Sequence, residues 1–346
     1  MKLKVEENNY EINIGQNIDQ ELKDYLSKNK NRKIALISDE YVYFIYRNRL
    51  HNILCDFDYD IFTFPQGEKS KSMKTYSEIL EFLSENDYSR GDVILAFGGG
   101  ITGDLAGFVA STYLRGINFI AVPTTLLSMI DSSVGGKNGI NFNGLKNQVG
   151  TFYFPEYVHI DYSFLDTLKK RDLNNGLAEM FKYSVLKDKN LFEILKNNEK
   201  LDYEYLIHRS LEIKIEFVKD DIRDKSIRQH LNLGHTIGHG IEGLSKYEIN
   251  HGEAVGIGLI YVSRAAYKLG IASEPFYKDL IEEFKKYNLP TEYDFKTDEI
   301  LEIMKHDKKI KDNKINLIIP TEIGNTISKT LSFNELKNII ELGKEI

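Results

Sequence analysis

Four of the chain's eight histidines, His230, His235, His239 and His251, fall within one short window. His235 and His239 are four residues apart and share a face if that stretch is helical, and His251 opens the next apolar-periodic run beside Glu253. Neutral imidazoles converging with one carboxylate make a donor set for a divalent cation, zinc above all, with one coordination position open for chemistry. The carboxylate could come from Gly176-Leu177-Ala178-Glu179-Met180-Phe181-Lys182, where Glu179 and Lys182 interrupt an otherwise apolar helical pattern. Spacing alone pairs His235 with His239 on the ion. An isolated pair of this kind is more often a packed or solvent-facing helix, and it is the cluster of four that favours a metal.

A second set of polar groups leads into the histidines. Lys214 lies upstream on one helical run, and Asp224, Arg228 and Asn232 approach His235. The steps from Arg228 to Asn232 and from His235 to His239 are four and that from Asn232 to His235 is three, so one helical face carries all four groups if the helix begins early enough. Arginine, lysine and asparagine together hold a carboxylate or a phosphate. Without the histidines, a solvated helix face would be the better reading.

Two further blocks suit a phosphorylated ligand. The apolar run 92–97 passes straight into Gly98-Gly99-Gly100-Ile101-Thr102-Gly103-Asp104 and then a helix-compatible stretch. Glycine lets backbone N–H groups approach a pyrophosphate at a helix N-terminus, where the helix dipole also favours an anion. The spacing is not G-x-G-x-x-G and the turn comes late in the strand–helix alternation, so it is not the usual first turn of a dinucleotide fold. Downstream, residues 123–137 are dense in small hydroxyl side chains, among them Thr124, Thr125, Ser128, Ser132 and Ser133, and end on the glycine-flanked Lys137; Lys146-Asn147 follows nine residues later. Short hydroxyls and an accessible ammonium suit a phosphorylated or polyhydroxylated ligand, the plainer alternative being a surface loop.

These groups need a frame. Short β-branched runs at 33–38, 59–64, 92–97 and 118–122, with a helical pattern at 72–86 between them, predict an α/β half with helices on both faces of a parallel sheet. After about residue 166 the chain reads as mainly helical, with helices at 176–187, 203–219, 230–244, 252–268 and 275–287 and a late strand pair at 314–320 and 325–331. The expected division is an α/β nucleotide-binding domain over 1–165 and a mainly α-helical metal- and substrate-binding domain over 166–346. With 346 residues the chain has room for two such domains. Its formal charge of −7 supplies no overall basic field for nucleic acid or anionic lipid. The single Cys55 permits no internal disulfide, which suits the cytoplasm, and no apolar run signals secretion or a membrane span.

Taken in order, these blocks resemble the 3-dehydroquinate synthases of the sugar-phosphate cyclase family. The resemblance rests on Gly67-Glu68, residues 99–108 (GGITGDLAGF), Pro123-Thr124-Thr125-Leu126-Leu127, Asp131-Ser132-Ser133-Val134-Gly135-Gly136-Lys137, Ala178-Glu179, residues 231–239 (LNLGHTIGH), His251-Gly252-Glu253-Ala254-Val255 and Asp307-Lys308-Lys309. It implies a cytoplasmic, homodimeric lyase of aromatic amino-acid biosynthesis (the shikimate pathway). Such an enzyme converts 3-deoxy-D-arabino-heptulosonate 7-phosphate to 3-dehydroquinate and phosphate, using NAD and Zn2+ or Co2+. Its partner is a small phosphorylated sugar acid, and neither nucleic acid nor membrane.

By the same resemblance the metal ligands are Glu179, His235 and His251, with His239 on the substrate phosphate. The NAD contacts are Asp39, Glu68, Lys71, Gly99, Gly100, Asp104, Thr124, Thr125, Leu127, Lys137, Lys146, Phe164 and Thr167. The substrate contacts are Asp131, Lys137, Lys146, Asn147, Lys182, Lys214, Asp224, Arg228, Asn232, His239 and one of Lys308 and Lys309, with Arg115 from a second subunit. Lys214 and Arg228 take the carboxylate. Three places depart from the family pattern: Asn143-Gly144-Leu145 replaces a proline-and-glycine approach to Lys146-Asn147, Asp224 replaces glutamate, and Gly98-Gly99-Gly100 replaces a form with one β-branched residue. The rival readings are a cyclase for an uncarboxylated sugar phosphate, a metal-dependent alcohol dehydrogenase of related fold, and an inactive ligand-binding relative.

Overall fold

The computed structural model describes residues 1–5, 10–197, 200–246, 248–304 and 314–345. They form two compact units: Met1–Leu168 with Tyr203–Ile215, and Lys169–Asp202 with Glu216–Ile346.

The first unit runs β1 (Lys2–Val5), β2 (Tyr10–Gly15), α1 (Asp19–Ser27), β3 (Ile34–Asp39), α2 (Glu40–Leu54), β4 (Tyr59–Phe64), α3 (Met73–Glu85), β5 (Val93–Gly98), α4 (Gly100–Thr112), β6 (Asn118–Pro123), β7 (Lys137–Phe142), β8 (Leu145–Phe152) and β9 (Tyr157–Asp161). Seven strands form one sheet in the order β1-β2-β9-β6-β5-β3-β4, parallel except where β1 pairs with β2. Every residue of β3 and β5 is buried, which explains their unbroken apolar runs: helices cover both faces of a parallel sheet. The chain leaves β3 to β4 on one side and returns to β5 on the other, so the strand order reverses at β3. Ligands of open α/β sheets bind beyond the carboxyl ends of the strands at such a reversal. The glycine turn that ends β5 therefore lies at the reversal, where folds of this kind place ligands, although it is not the first turn of the fold.

Three strands of this sheet, β1, β2 and β9, lie outside the runs expected from the sequence. In β9 the buried Tyr157, His159 and Asp161 alternate with Val158 and Ile160. Asp161 is tolerated inside because its carboxylate accepts the backbone N–H groups of Asn17, Ile18 and Ser163 at 2.9–3.0 Å and pairs with Arg49. β1 is a short edge strand, and β2 lies between it and β9. The segment around Lys137 and Lys146 is not a loop but the antiparallel hairpin β7–β8, and Phe142 pairs with Leu145 across its tip. Asn143 (φ 49°) and Gly144 (φ 78°) both take left-handed backbone, the signature of a tight primed hairpin turn. The unusual Asn143-Gly144 thus has a local explanation.

The second unit contains α5 (Lys170–Lys187), α6 (Lys189–Asn197), the end of α7 (Tyr203–Lys219), a 3-10 segment at Ile227–Asn232, α8 (His235–Leu244), α9 (His251–Lys268), α10 (Tyr277–Lys286), α11 (Thr297–Met304), the antiparallel pair β10 (Lys314–Glu322) and β11 (Asn325–Ser332), and α12 (Phe333–Lys344). α5 is buried from Asn174 to Leu186 and α9 from Gly252 to Ala266, so both are core helices buried on nearly every face. Glu179 and Lys182 are therefore buried charges and need partners. Among the described residues no helix is long and apolar enough to cross a membrane.

The single helix expected over 230–244 is two pieces. Gly234 adopts φ 78° between the 3-10 segment and α8, and a Cβ there would meet the Val255 carbonyl oxygen of α9 at 2.7 Å. The close crossing of α8 and α9 selects glycine, and the left-handed residue ends the first segment. Arg228 and Asn232 consequently do not share one continuous helical face with His235 and His239.

Candidate active site

In the first unit, the residues that the resemblance linked to NAD lie at or just after the carboxyl ends of β3, β4, β5, β6 and β9, apart from Lys137 and Lys146 on the β7–β8 hairpin. Asp39 ends β3 and caps α2, accepting the Val42 N–H at 3.0 Å, and burial raises its pKa. Gly99 caps α4 and Gly100 begins it; the cap has no side chain and the first turn no acidic residue, so its N–H groups favour an anion. Lys71, buried, pairs with Asp104 of α4. Burial raises the pKa of Asp104 while Lys71 opposes the shift. Glu68 accepts a hydrogen bond from Asn141 of β7 at 2.8 Å, tying the turn after β4 to the hairpin. After β6, Thr124 N donates to the Gly98 carbonyl at 3.0 Å, and Thr125 Oγ1 lies 2.9 Å from Ser128 Oγ. Leu127, half-buried, precedes the Ser128–Ser132 turn.

Phe164 follows β9 and packs into the core of this unit. Its ring is buried edge-on to Tyr46 and Phe97, with the Arg49 guanidinium 4.4 Å over it. Its carbonyl accepts from Tyr46, whose hydroxyl also bonds Thr167.

The cationic groups expected to meet the substrate from this unit sit on three features, the β7–β8 hairpin, α7 and the kink after α4. Lys137 opens β7, while Lys146 and Asn147 start β8. The Asn147 N–H donates to Asn141 Oδ1 at 3.0 Å. Lys214 of α7 is buried and donates to the Asp131 carboxylate at 2.6 Å. Arg115 stands exposed at the kink after α4, with φ 69° following Leu114 at φ 50°.

In the second unit α5, α8 and α9 bring three donors together. His235 Nε2 and His251 Nε2 each lie 3.5 Å from the same oxygen, Oε1 of Glu179, and all three donor atoms fall within 4.8 Å of one another. Donors at 2.0–2.2 Å from a tetrahedral zinc ion stand about 3.3–3.5 Å apart, so the set has the span of a zinc site. The far side of each ring agrees. His235 Nδ1 lies 3.2 Å from the Leu233 carbonyl and His251 Nδ1 3.2 Å from Glu242, arrangements that hold the proton on Nδ1 and turn a lone pair on Nε2 toward the ion. Lys182 takes the other oxygen of Glu179 at 2.6 Å. Burial disfavours a charged His251 ring, yet Glu242 and Glu179 raise its pKa to about 10. The carboxylates on either side demand positive charge at this point, which a divalent cation supplies.

His239 is the fourth imidazole, its ring centre 5.4 Å from His235 and 5.9 Å from His251. It forms a second close set with Glu242 and His251. In that set Glu242 already serves His251 Nδ1, so the Glu179 set is the better-prepared one.

Asp221, missed by the sequence reading, organises the approach to Arg228. Its carboxylate accepts N–H groups from Lys225, Ser226 and Arg228 at 2.9, 2.5 and 3.2 Å, and these bonds hold its pKa low against burial. Asp224 sits in that turn at φ 57°. Arg228 is buried and donates to the Ile222 carbonyl at 2.6 Å; Asn232 closes the 3-10 segment. Lys308 and Lys309 lie outside the described residues.

Residues 61–175 match the family model described as 3-dehydroquinate synthase N-terminal, and residues 176–310 match its C-terminal counterpart. The chain belongs to the 3-dehydroquinate synthase family. Among curated 3-dehydroquinate synthases, that of Streptococcus suis strain 05ZYH33 is 40% identical over 326 residues, spanning 90% of this chain and 91% of the relative. That of Caldanaerobacter subterraneus subsp. tengcongensis is 42% identical over 307 residues, spanning 85% and 86%. Among solved structures, 2-epi-5-epi-valiolone synthase from Streptomyces hygroscopicus subsp. jinggangensis, with NAD+ and Zn2+ bound, superposes with TM-score 0.89 at 25% identity, covering 96% of each chain. An iron-containing alcohol dehydrogenase from Corynebacterium glutamicum shares the fold at TM-score 0.64 and 14% identity, covering 96% of this chain and 94% of that one. The 3-dehydroquinate synthase family thus accounts for both units, each of which carries its own half of the expected constellation.

Proposed function

We propose that this chain is a 3-dehydroquinate synthase that converts 3-deoxy-D-arabino-heptulosonate 7-phosphate to 3-dehydroquinate and phosphate, with NAD on the first unit and a divalent cation, zinc by its donor set, on the second. The observation that carries the reading is the convergence of two imidazole Nε2 atoms on one Glu179 oxygen, each ring backed by an acceptor at Nδ1. Glu179, His235 and His251 hold the cation, which when bound acidifies a substrate hydroxyl, and NAD supplies reversible hydride removal. That chemistry would make the neighbouring substrate C–H acidic and so let phosphate leave by β-elimination, with ring opening and an intramolecular aldol closure to complete the product.

The protein's own side chains bind and orient. The glycine turn and the α4 N-terminus receive the dinucleotide pyrophosphate, with Asp39, Glu68, Lys71, Asp104, Thr124, Thr125 and Leu127 around it. Lys214 and Arg228 neutralise the substrate carboxylate, while Lys137, Lys146, Asn147, Asn232 and His239 hold its phosphate. Lys182, fixed on Glu179, keeps that carboxylate oriented toward the ion and presents an ammonium to the substrate hydroxyls. Two cations, Lys214 steadied by the Asp131 carboxylate and Arg228 by the Ile222 carbonyl, favour the sugar acid over a neutral sugar phosphate.

The proposal includes a homodimer in the cytoplasm in which Arg115 completes the site of a second copy. Supporting this, Arg115 is exposed beside Leu114, itself 43% exposed, on a kink held by two left-handed residues. A monomer by sedimentation would remove that part of the proposal.

The test is the purified chain with the heptulosonate phosphate, catalytic NAD and Zn2+. Phosphate and 3-dehydroquinate appear in equal amounts and NADH does not accumulate. Phosphate release from a neutral heptulose phosphate alone, or net NADH formation, overturns the assignment in favour of another cyclase or a dehydrogenase.

A further inference from the structure

The hairpin β10–β11 begins past residue 310, where the C-terminal family model stops matching, and the proposed chemistry gives it no task. It is firmly rooted in the second unit. Ile315, Leu317, Ile319 and Leu331 are buried, and at the turn Gly324 N donates to the Val185 carbonyl of α5 at 2.9 Å.

From this base the hairpin grips the Ile227–Asn232 segment at two points. His230 Nδ1 lies 2.9 Å from Thr326 Oγ1 of β11, and Asn316 Nδ2 of β10 donates to Gln229 Oε1 at 3.2 Å. The His230 ring also faces that of Phe217 at 6.0 Å between centres and 17° between planes. Gln229 and His230 directly follow Arg228, and Asn232 is two residues further on. Asp221 anchors the opposite end through the Arg228 N–H. The segment is too short to hold itself: a 3-10 stretch of six residues has poor internal hydrogen-bond geometry, so its side-chain directions depend on what clamps it.

We propose that the β10–β11 hairpin is a clamp on this segment, with His230 and Thr326 as its positioning pair, and that the clamp sets affinity for the phosphorylated sugar acid by fixing Arg228 and Asn232. The inference rests on the reading of those two residues as substrate contacts. A fork such as a guanidinium recognises an anion only when correctly aimed, so loosening the segment weakens binding without touching the metal ligands.

The experiment compares wild type, Thr326→Val, Thr326→Ser, His230→Phe and the Val/Phe double variant. Thr326→Val raises KM for the sugar acid phosphate about two- to tenfold, the range spanned by one net hydrogen bond, with kcat changed less than about twofold. Zn2+ affinity stays at the wild-type value, and amide hydrogen exchange over residues 227–232 quickens. Thr326→Ser restores both readouts. His230→Phe keeps the ring contact and matches Thr326→Val, and the double variant is no worse than either single one. An unchanged KM with unchanged exchange overturns the clamp, as do fully additive effects or a loss that serine does not rescue. A wild-type chain that fails to turn over the sugar acid phosphate sinks the functional reading instead, and the exchange comparison still decides whether the clamp exists.

Discussion

His251 Nδ1 stands 3.2 Å from a carboxylate oxygen of Glu242, a side chain buried almost completely behind the ring. This bond turns the imidazole so that its other nitrogen faces Glu179, and it raises the basicity of that nitrogen. Glu242→Gln keeps the shape and removes the charge. It lowers Zn2+ affinity about 10- to 100-fold, as outer carboxylates behind metal-bound histidines do. Chelator competition measures the change, and an affinity equal to wild type would show that Glu242 plays no part in the centre.

Glycine at 144 answers to backbone conformation and not to crowding, since a Cβ there would meet nothing within 4 Å. Gly144→Ala therefore costs only the strain of φ 78°, about 1 kcal/mol. Urea unfolding reads the stability loss, and hydrogen exchange should quicken over residues 137–152 first. If exchange there matches wild type, Gly144 is not what sets the turn.

Buried His159 has a pKa lowered to about 4, chiefly by burial. The unfolded chain binds this proton near the ordinary value of about 6.5 and the folded chain only near 4, so its neutral ring contributes fully above the unfolded pKa. That contribution is lost as pH falls from about 6.5 to 4 and amounts to roughly 3 kcal/mol at most. His159→Leu should flatten this part of the stability–pH curve, measured by denaturant midpoints across the window. Parallel curves for the variant and wild type would show that the ring does not titrate with folding.

Arg228 is set by a turn built on Asp221, whose carboxylate accepts its backbone N–H. Arg228→Ala should raise KM for the sugar acid phosphate at least tenfold, the loss of a charge-assisted hydrogen bond being about 1.5–3 kcal/mol. NAD affinity by fluorescence titration stays near wild type. Equal loss of both affinities would count against a carboxylate role.

How far the sequence reveals this site depends on what each residue signals locally. The glycine turn at Gly98-Gly99-Gly100 is plain because β5 is an unbroken apolar run and α4 begins at once. Its place at the reversal of strand order is not, because that reversal is a property of the whole sheet. β9 escapes because His159 and Asp161 look like solvent-facing residues, and only Arg49 and three backbone N–H groups make the aspartate acceptable inside. The hairpin around Lys146 could have been found from Asn143-Gly144, a strong two-residue turn signal.

The histidine cluster is legible as metal chemistry, but helical spacing favours His235 with His239. The donors that converge on Glu179 come from three helices, and the crossing of α8 and α9 is invisible to any one-helix pattern. Glu242 did carry a signal, being seven residues after His235 and so on its face two turns on. Asp221 carried none, since its role is set by a turn that exists only once its carboxylate has gathered three N–H groups.

The most direct test is zinc stoichiometry and affinity in the purified chain and in four variants, Glu179→Gln, His235→Ala, His251→Ala and His239→Ala. The account predicts one tightly held Zn2+ per chain, lost in the first three variants and kept at near wild-type affinity in His239→Ala. Loss of the ion in His239→Ala, with retention in Glu179→Gln or His235→Ala, would contradict it.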